Sequence, residues 1–309
     1  GTHIWAVDSA TGAFARSYSP DVAAGPIQIV AATYSGNVHL FVTGETCTLL
    51  ALIDNGSSIS RDPGWATNPL TVGNATGAVL HSLSFNRQAG SNTNFLYMLA
   101  SVDATNIGIN KIDADSGAVA SGFNVGTLYS PNATGLPSLL RVINDNIYVA
   151  GNTSEIYRRG ADGSAEITSS VVGNQVRRLM LWRSSNDLYV SPDGNFVYRL
   201  TSDLLTNTWV LGQSASLQAP KTSAAQLNFS RNDLYVGVGN QLYMIHASGN
   251  LIYNVPMNTT GNIVTAPYQW KSYVYFGTDK GMIYAVNAIE PRVSRANWPI
   301  NISSTITGT

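Results

Sequence analysis

Pairs of short apolar-aromatic runs, each pair joined by a polar turn, recur along the whole chain, and this repeat constrains the fold more than any other feature of the sequence. The first members are VHLFV at 38–42, NFLYML at 94–99, NIYVAG at 146–151, DLYVSP at 187–192, DLYVGV at 233–238 and YVYFG at 273–277. Their partners are LLALID at 49–54, GINKID at 108–113, EIYRRG at 155–160, FVYRLT at 196–201, LYMIH at 242–246 and MIYAVN at 282–287. Rich in β-branched and aromatic residues and bounded by turn formers, they read as strands. Pro192-Asp193-Gly194 and Asp279-Lys280-Gly281 have the chemistry of loops that close antiparallel hairpins.

A seventh copy of the second run, IWAVD at 4–8, stands near the start with no first run before it. Its last residue, Asp8, opens a series continued by Asp54, Asp113, Gly160, Thr201, His246 and Asn287, at intervals of 46, 59, 47, 41, 45 and 41 residues. That is the length of a four-stranded propeller blade. The expectation is all-β: a seven-bladed β-propeller of four-stranded antiparallel blades, forming one domain over 1–309. No segment sustains helical periodicity. The long second interval predicts an extended turn at 87–94. The N-terminal blade is opened by the chain start, and residues 296–309 are expected to return and complete it, with Trp298 and Ile300 packing inward; in a fragment, an upstream segment does so instead.

The charge pattern narrows the partners. Charged residues make up 11% of the chain, against about 25% in an average soluble domain. The net charge of −1 comes with no stripe of Lys and Arg, so the sequence predicts no nucleic-acid partner. Apolar stretches such as 28–32 and 49–53 are far shorter than the ~20 residues of a spanning helix. The first residue, Gly1, reads as a processed or truncated start.

The stretch YVYFGTDKGMIYAVNA at 273–288 resembles the repeat of the quinoprotein-like, or PQQ-like, β-propeller family: a Val-Tyr-Val-Gly strand, an Asp-Gly turn, then Tyr-Ala-Leu-Asp and Thr-Gly. IWAVDSATG at 4–12 and INKIDADSG at 109–117 resemble its second half, and NWPINISSTITG at 297–308 resembles the Trp-Pro segment near the ends of secreted members. The family places a docking tryptophan eight residues after the anchor. Only Trp209 fills that position here; Arg16, Ser121, Asn254 and Arg295 stand at corresponding ones. The resemblance thus implies looser blade docking, and it points to a non-enzymatic branch. Enzyme members hold a quinone over calcium, several against a disulfide of adjacent cysteines, and a single Cys47 excludes that disulfide.

No other chemistry is legible. Asp113-Ala114-Asp115-Ser116-Gly117 resembles the start of a calcium loop but lacks the distal bidentate Glu, and reads instead as a turn held by side-chain-to-backbone bonds, as do Asp162-Gly163 and Asp193-Gly194. His3, His39, His81 and His246 show no metal-ligand spacing, no nucleophile elbow is present, and Cys47 reads as a buried thiol on a strand. No catalytic, cofactor-binding or metal residue is therefore assigned.

Seven Asn-x-Ser/Thr sequons remain, at Asn55, Asn74, Asn132, Asn152, Asn228, Asn258 and Asn301. A chain so rich in Asn, Ser and Thr produces sequons by composition, so their placement carries the argument. Asn74, Asn132 and Asn258 precede first strands and Asn152 falls between second and third strands, which places all four on one propeller face as N-glycan sites. Asn228, inside the apparent strand 225–230, is the sequon expected to be least occupied. Partner contacts then fall on the opposite face or on blade edges, where strand addition is available.

The function expected is a non-catalytic extracellular module that binds a protein partner or builds a cell-surface structure by self-assembly. The alternatives are a secreted propeller enzyme, whether a degenerate quinoprotein dehydrogenase, a lyase or a hydrolase, and a scaffold for assembly at a bacterial outer membrane.

Overall fold

The computed structural model describes residues 3–20, 28–44, 47–72, 80–88, 92–101, 107–129, 137–143, 145–151, 156–160, 167–169, 176–182, 187–192, 197–201, 207–211, 226–228, 233–246, 253–290 and 293–302. The chain is all-β. Every regular element among these residues is a strand, and the strands form antiparallel sheets laid down in chain order.

Strands β1 (Ile4–Val7) and β2 (Phe14–Tyr18) form a two-stranded sheet. Next come β3 (Gln28–Tyr34), β4 (Asn37–Thr43), β5 (Thr48–Asp54) and β6 (Ile59–Arg61), with the short β7 (Leu70–Thr71) also bonded to β5. Four-stranded sheets follow: β8 (Leu80–Arg87), β9 (Asn94–Ser101), β10 (Ile107–Asp113), β11 (Val119–Tyr129); then β12 (Pro137–Ile143), β13 (Asn146–Gly151), β14 (Ile156–Gly160), β15 (Ile167–Ser169). Two more are β16 (Val176–Trp182), β17 (Asp187–Pro192), β18 (Val197–Thr201), β19 (Asn207–Leu211) and β20 (Gln226–Asn228), β21 (Asp233–Val238), β22 (Gln241–His246), β23 (Tyr253–Asn258). The last holds β24 (Tyr268–Trp270), β25 (Tyr273–Gly277), β26 (Met282–Asn287) and β27 (Ile300–Asn301).

The sequence repeat maps onto this order. Each first run is the second strand of its sheet, each second run the third, and Tyr148, Tyr189, Tyr235 and Tyr275 occupy equivalent positions on β13, β17, β21 and β25. In each case the tyrosine lies opposite the residue two before the anchor: Arg158, Arg199, Met244 and Ala285. Tyr97 on β9, opposite Lys111, is a fifth member. His39 lies opposite Ile53, which is two residues before Asn55, and so stands where the first full sheet would carry its tyrosine.

Contacts divide the chain into two compact units, Gly1–Val7 with Phe14–Ser170, and Asp8–Ala13 with Val171–Thr309. In the first unit, β3–β6 packs on β8–β11 through Tyr34, Phe41, Leu49, Ala51 and Trp65 on one side and Leu83, Leu96, Met98 and Ile112 on the other. The opposite face of β8–β11 packs on β12–β15 through Tyr97, Leu99, Ile109, Leu140 and Ile147. Polar links join first strands of neighbouring sheets: Leu83 N–H donates to Gln28 Oε1 at 2.8 Å, and Val142 N–H donates to Ser84 Oγ at 3.0 Å. In the second unit, Tyr235, Leu242 and Met244 pack against Val274, Phe276, Tyr284 and Val286.

Two expectations meet a different geometry. Ile300 and Asn301 pair with Ile283 and Met282, making β27 the fourth strand of the last sheet rather than an addition to β1–β2. Trp298 is buried there, edge-on to Tyr275 at 5.5 Å; residues 303–309 lie outside the described ones. Cys47 is buried as expected but lies in the turn before β5 with φ 51°, not within a strand. The extended turn at 87–94 joins β8 to β9, where Arg87 faces Asn94.

Candidate interaction surface

The buried polar groups of the first unit serve packing. Asp62 accepts the Gly64 N–H on Oδ1 at 2.8 Å, closing the turn after β6, and its Oδ2 lies 3.1 Å from His39 Nδ1. The imidazole stacks on Tyr34 at 3.8 Å between centroids and 6° between planes. Tyr34 Oη and Trp65 Nε1 both donate to the Ala114 carbonyl, at 3.2 and 2.9 Å. The second unit repeats the device, with Tyr235 Oη donating to the Ala288 carbonyl. Ala114 and Ala288 each follow an anchor, so an aromatic donor from one sheet caps the same turn of the next. Burial, with Asp115, Asp62 and Asp113 adding, pushes the Tyr34 phenol far above its ordinary range, which keeps it a donor.

Asp113 behaves as a turn residue. Its Oδ1 accepts from Asp115 N–H, Ser116 N–H and Ser116 Oγ at 3.1, 2.8 and 2.8 Å, and Gly117 follows with φ 74°. Asp8 repeats the pattern with Ala10, Thr11 and Gly12. A carboxylate oxygen occupied by local donors is held for the backbone rather than for a cation. Asp162-Gly163 and Asp193-Gly194 lie outside the described residues. Among the described residues no group of three or more His, Cys, Asp or Glu side chains gathers where a metal ion would sit. Burial raises the Cys47 thiol, which leaves it a poor nucleophile.

Arginines stand eight residues after two of the anchors. Arg16, eight residues after Asp8, makes a bidentate pair with Asp54, Nε to Oδ1 at 2.8 Å and Nη2 to Oδ2 at 2.5 Å, and so clamps β2 to the neighbouring sheet. Burial acts to raise the Asp54 carboxyl, but hydrogen bonds from Arg16 and the Gly56 amide, with the guanidinium charge, hold it below its usual range. Arg295, eight residues after Asn287, lies 4.3 Å over the Tyr273 ring and donates to Tyr275 Oη at 3.0 Å.

That second arginine belongs to the surface most unlike a solvated one. On β24 and β25, Tyr268 faces Tyr275 and Trp270 faces Tyr273, so four aromatic rings share one side of the sheet. Val274 and Phe276 point to the other side and are buried. Tyr268 and Trp270 remain 57% and 53% exposed, although their aromatic area would be more stable out of water. Arg295 and Trp298 hold Tyr273 and Tyr275 in place, and the exposed pair faces these two fixed rings across the strands. Ile289 and Val293 are exposed as well. The run at 273–277 is readable as a strand from sequence, but β24 and its exposed face are not: alternation marks two sides and does not say which is left uncovered.

The glycosylation candidates divide. Asn55 is exposed in the β5–β6 turn, where its Oδ1 accepts the Ser57 and Ser58 amides, each at 2.9 Å. Asn258 is exposed at the end of β23 and Asn301 is exposed on β27. Asn228 ends β20 opposite Asp233, within a strand as expected. Asn74, Asn132 and Asn152 lie outside the described residues. Of the histidines, His3 stacks on Trp5, His81 lies on β8 and His246 on β22.

No helix of the described residues is long and apolar enough to cross a membrane. No family model matches the chain, and no curated protein matches it. Among solved structures, 1124 chains match, so the architecture is widely shared and carries no single function. One of them is the Sqt1 β-propeller of Saccharomyces cerevisiae, similar with a TM-score of 0.62 at 10% sequence identity over 96% of this chain and 78% of that one. The similarity places the chain with β-propellers by fold.

Proposed function

We propose that residues 1–309 form one seven-bladed β-propeller of the quinoprotein-like repeat type that acts as a non-catalytic protein-interaction module, outside the cell or as a building block of its surface. The seven successive sheets among the described residues and the match to a propeller over nearly the whole chain support the architecture. The observation that carries the function is the Tyr268–Trp270 face: exposed aromatics across from two fixed rings and an arginine have the composition of binding hot spots. A photo-cross-linking residue at position 268, in the native source, is expected to capture one polypeptide that the same residue at the exposed Ser57 does not. Trp270→Ser should abolish capture and leave the melting temperature unchanged. Absence of any position-specific product, or turnover of a substrate by the purified chain, would overturn the reading. N-glycans on Asn55 and Asn258 are part of it, and site-by-site glycopeptide mapping checks them.

A further inference from the structure

The β5–β6 turn holds the one Asn-Gly pair of the sequence, Asn55-Gly56, and Asn55, Gly56, Ser57 and Ser58 are all exposed. Asparagine before glycine is the dipeptide in which the backbone most readily attacks a side chain, because the following residue has no Cβ to hinder the approach. The Gly56 nitrogen loses its proton and adds to Asn55 Cγ, the Cγ–Nδ2 bond breaks, and Nδ2 leaves as ammonia carrying that proton. Water then opens the cyclic imide at either carbonyl, leaving aspartate or isoaspartate. In this turn both reacting groups are already engaged. Gly56 N–H donates to Asp54 Oδ1 at 2.9 Å, and the two oxygens of that carboxylate are fixed by Arg16 Nε and Nη2. Asn55 Oδ1 accepts the Ser57 and Ser58 amides at 2.9 Å each, and Asn55 N–H donates to the Ser58 carbonyl at 3.2 Å.

We infer that Asn55 is a deamidation site of this chain, kept latent by the Asp54–Arg16 clamp and released when the clamp opens. Removing the Gly56 proton forfeits its bond to Asp54 and sets a second negative charge against the carboxylate. That carboxylate stays ionised, burial notwithstanding, through the bonds from Arg16 and Gly56. A carboxamide tethered to the amides of Ser57 and Ser58 must also give up those bonds to bring Cγ onto the Gly56 nitrogen. The same two amides would steady negative charge building on Oδ1 during the addition, so the brake lies chiefly with Asp54. The consequence of modification follows from register. Asp54 faces Ile59 across the turn, and Ile59 packs with Ile4 and Leu52. An isoaspartate adds a methylene carbon to the main chain between them and displaces Ile59 from that core.

The inference is independent of the interaction role and of the Asn55 glycan, which would occupy the same Nδ2. Unglycosylated full chain from a bacterial host and the synthetic peptide 52–60, LIDNGSSIS, are incubated side by side at neutral pH, below the melting temperature, in heavy-oxygen water. Proteolytic fragments spanning Asn55 are weighed for the label that ring opening introduces. The folded chain should convert at least about tenfold more slowly than the peptide, the effect of roughly one net hydrogen bond. Asp54→Ala should bring the folded chain to the peptide's rate or beyond it. Arg16→Ala, which frees the same carboxylate, should accelerate conversion as well and decides the matter if Asp54→Ala fails to fold. Ser57→Ala removes the sequon hydroxyl but keeps the backbone amide, and should leave conversion slow. A folded chain that converts as fast as the peptide overturns the inference, and so does a folded Asp54→Ala, or failing that Arg16→Ala, no faster than the unsubstituted chain.

Discussion

Gly117→Ala tests how tightly the anchor turns are fitted against neighbouring sheets. Gly117 has φ 74°, and a Cβ there would come within 2.8 Å of the Trp65 ring. The indole has no room to retreat: it is buried, its Nε1 is bonded to Ala114, and Phe41 lies 6.0 Å away across the core. The left-handed backbone costs an alanine about 1–2 kcal/mol. Forcing a methyl group into a filled core adds about 1–3 kcal/mol. The sum, about 2–5 kcal/mol, contrasts with Gly36→Ala, where φ is 80° and nothing lies within 4 Å. That control should cost only the backbone part, about 1–2 kcal/mol. Urea unfolding followed by tryptophan fluorescence reads both. Equal losses in the two variants would refute the fit between the Asp113–Gly117 turn and Trp65.

Removing the Arg16 clamp should also destabilise: Arg16→Ala leaves Asp54 without its bidentate partner and costs about 1–3 kcal/mol near neutral pH. Because the folded carboxyl is depressed, its contribution is present above about pH 4 and is lost as the pH falls through the folded value. The Arg16→Ala deficit should therefore shrink in acid, and a deficit that stays constant down to pH 2 argues against the pair. Burial, with Asp145 adding, pushes the Tyr97 phenol up to about 12. The neutral form is favoured in the fold, so stability should fall from about pH 10 toward 12. Tyr97→Phe should flatten that decline in alkaline denaturation. Alkylation of Cys47 should be slow in the native chain and fast in urea, as thiol titration checks.

The strands, their order and the shared place of the tyrosines were legible in the sequence because they depend on local chemistry. Alternation and turn residues act over a few neighbours, and a repeated run repeats its register. The anchor turns were equally legible, since Asp8 and Asp113 bond amides two and three residues ahead. Contacts between sheets were not, because they join residues that no local pattern relates. Asp62 meets His39 from 23 residues away and Asp54 meets Arg16 from 38, and each pairing exists only once the sheets have packed. The anchor series itself slipped by one residue in the first full sheet, where Asn55 rather than Asp54 makes the turn. Likewise Ile300 reads as an inward-facing apolar residue, but only packing decided that it joins β26. Exposure is the clearest case. Tyr268, Trp270, Ile29 and Val38 look like any other strand residue in sequence, and what sets them apart is the absence of a covering neighbour among the described residues, a property of the assembled sheets and not of the runs themselves.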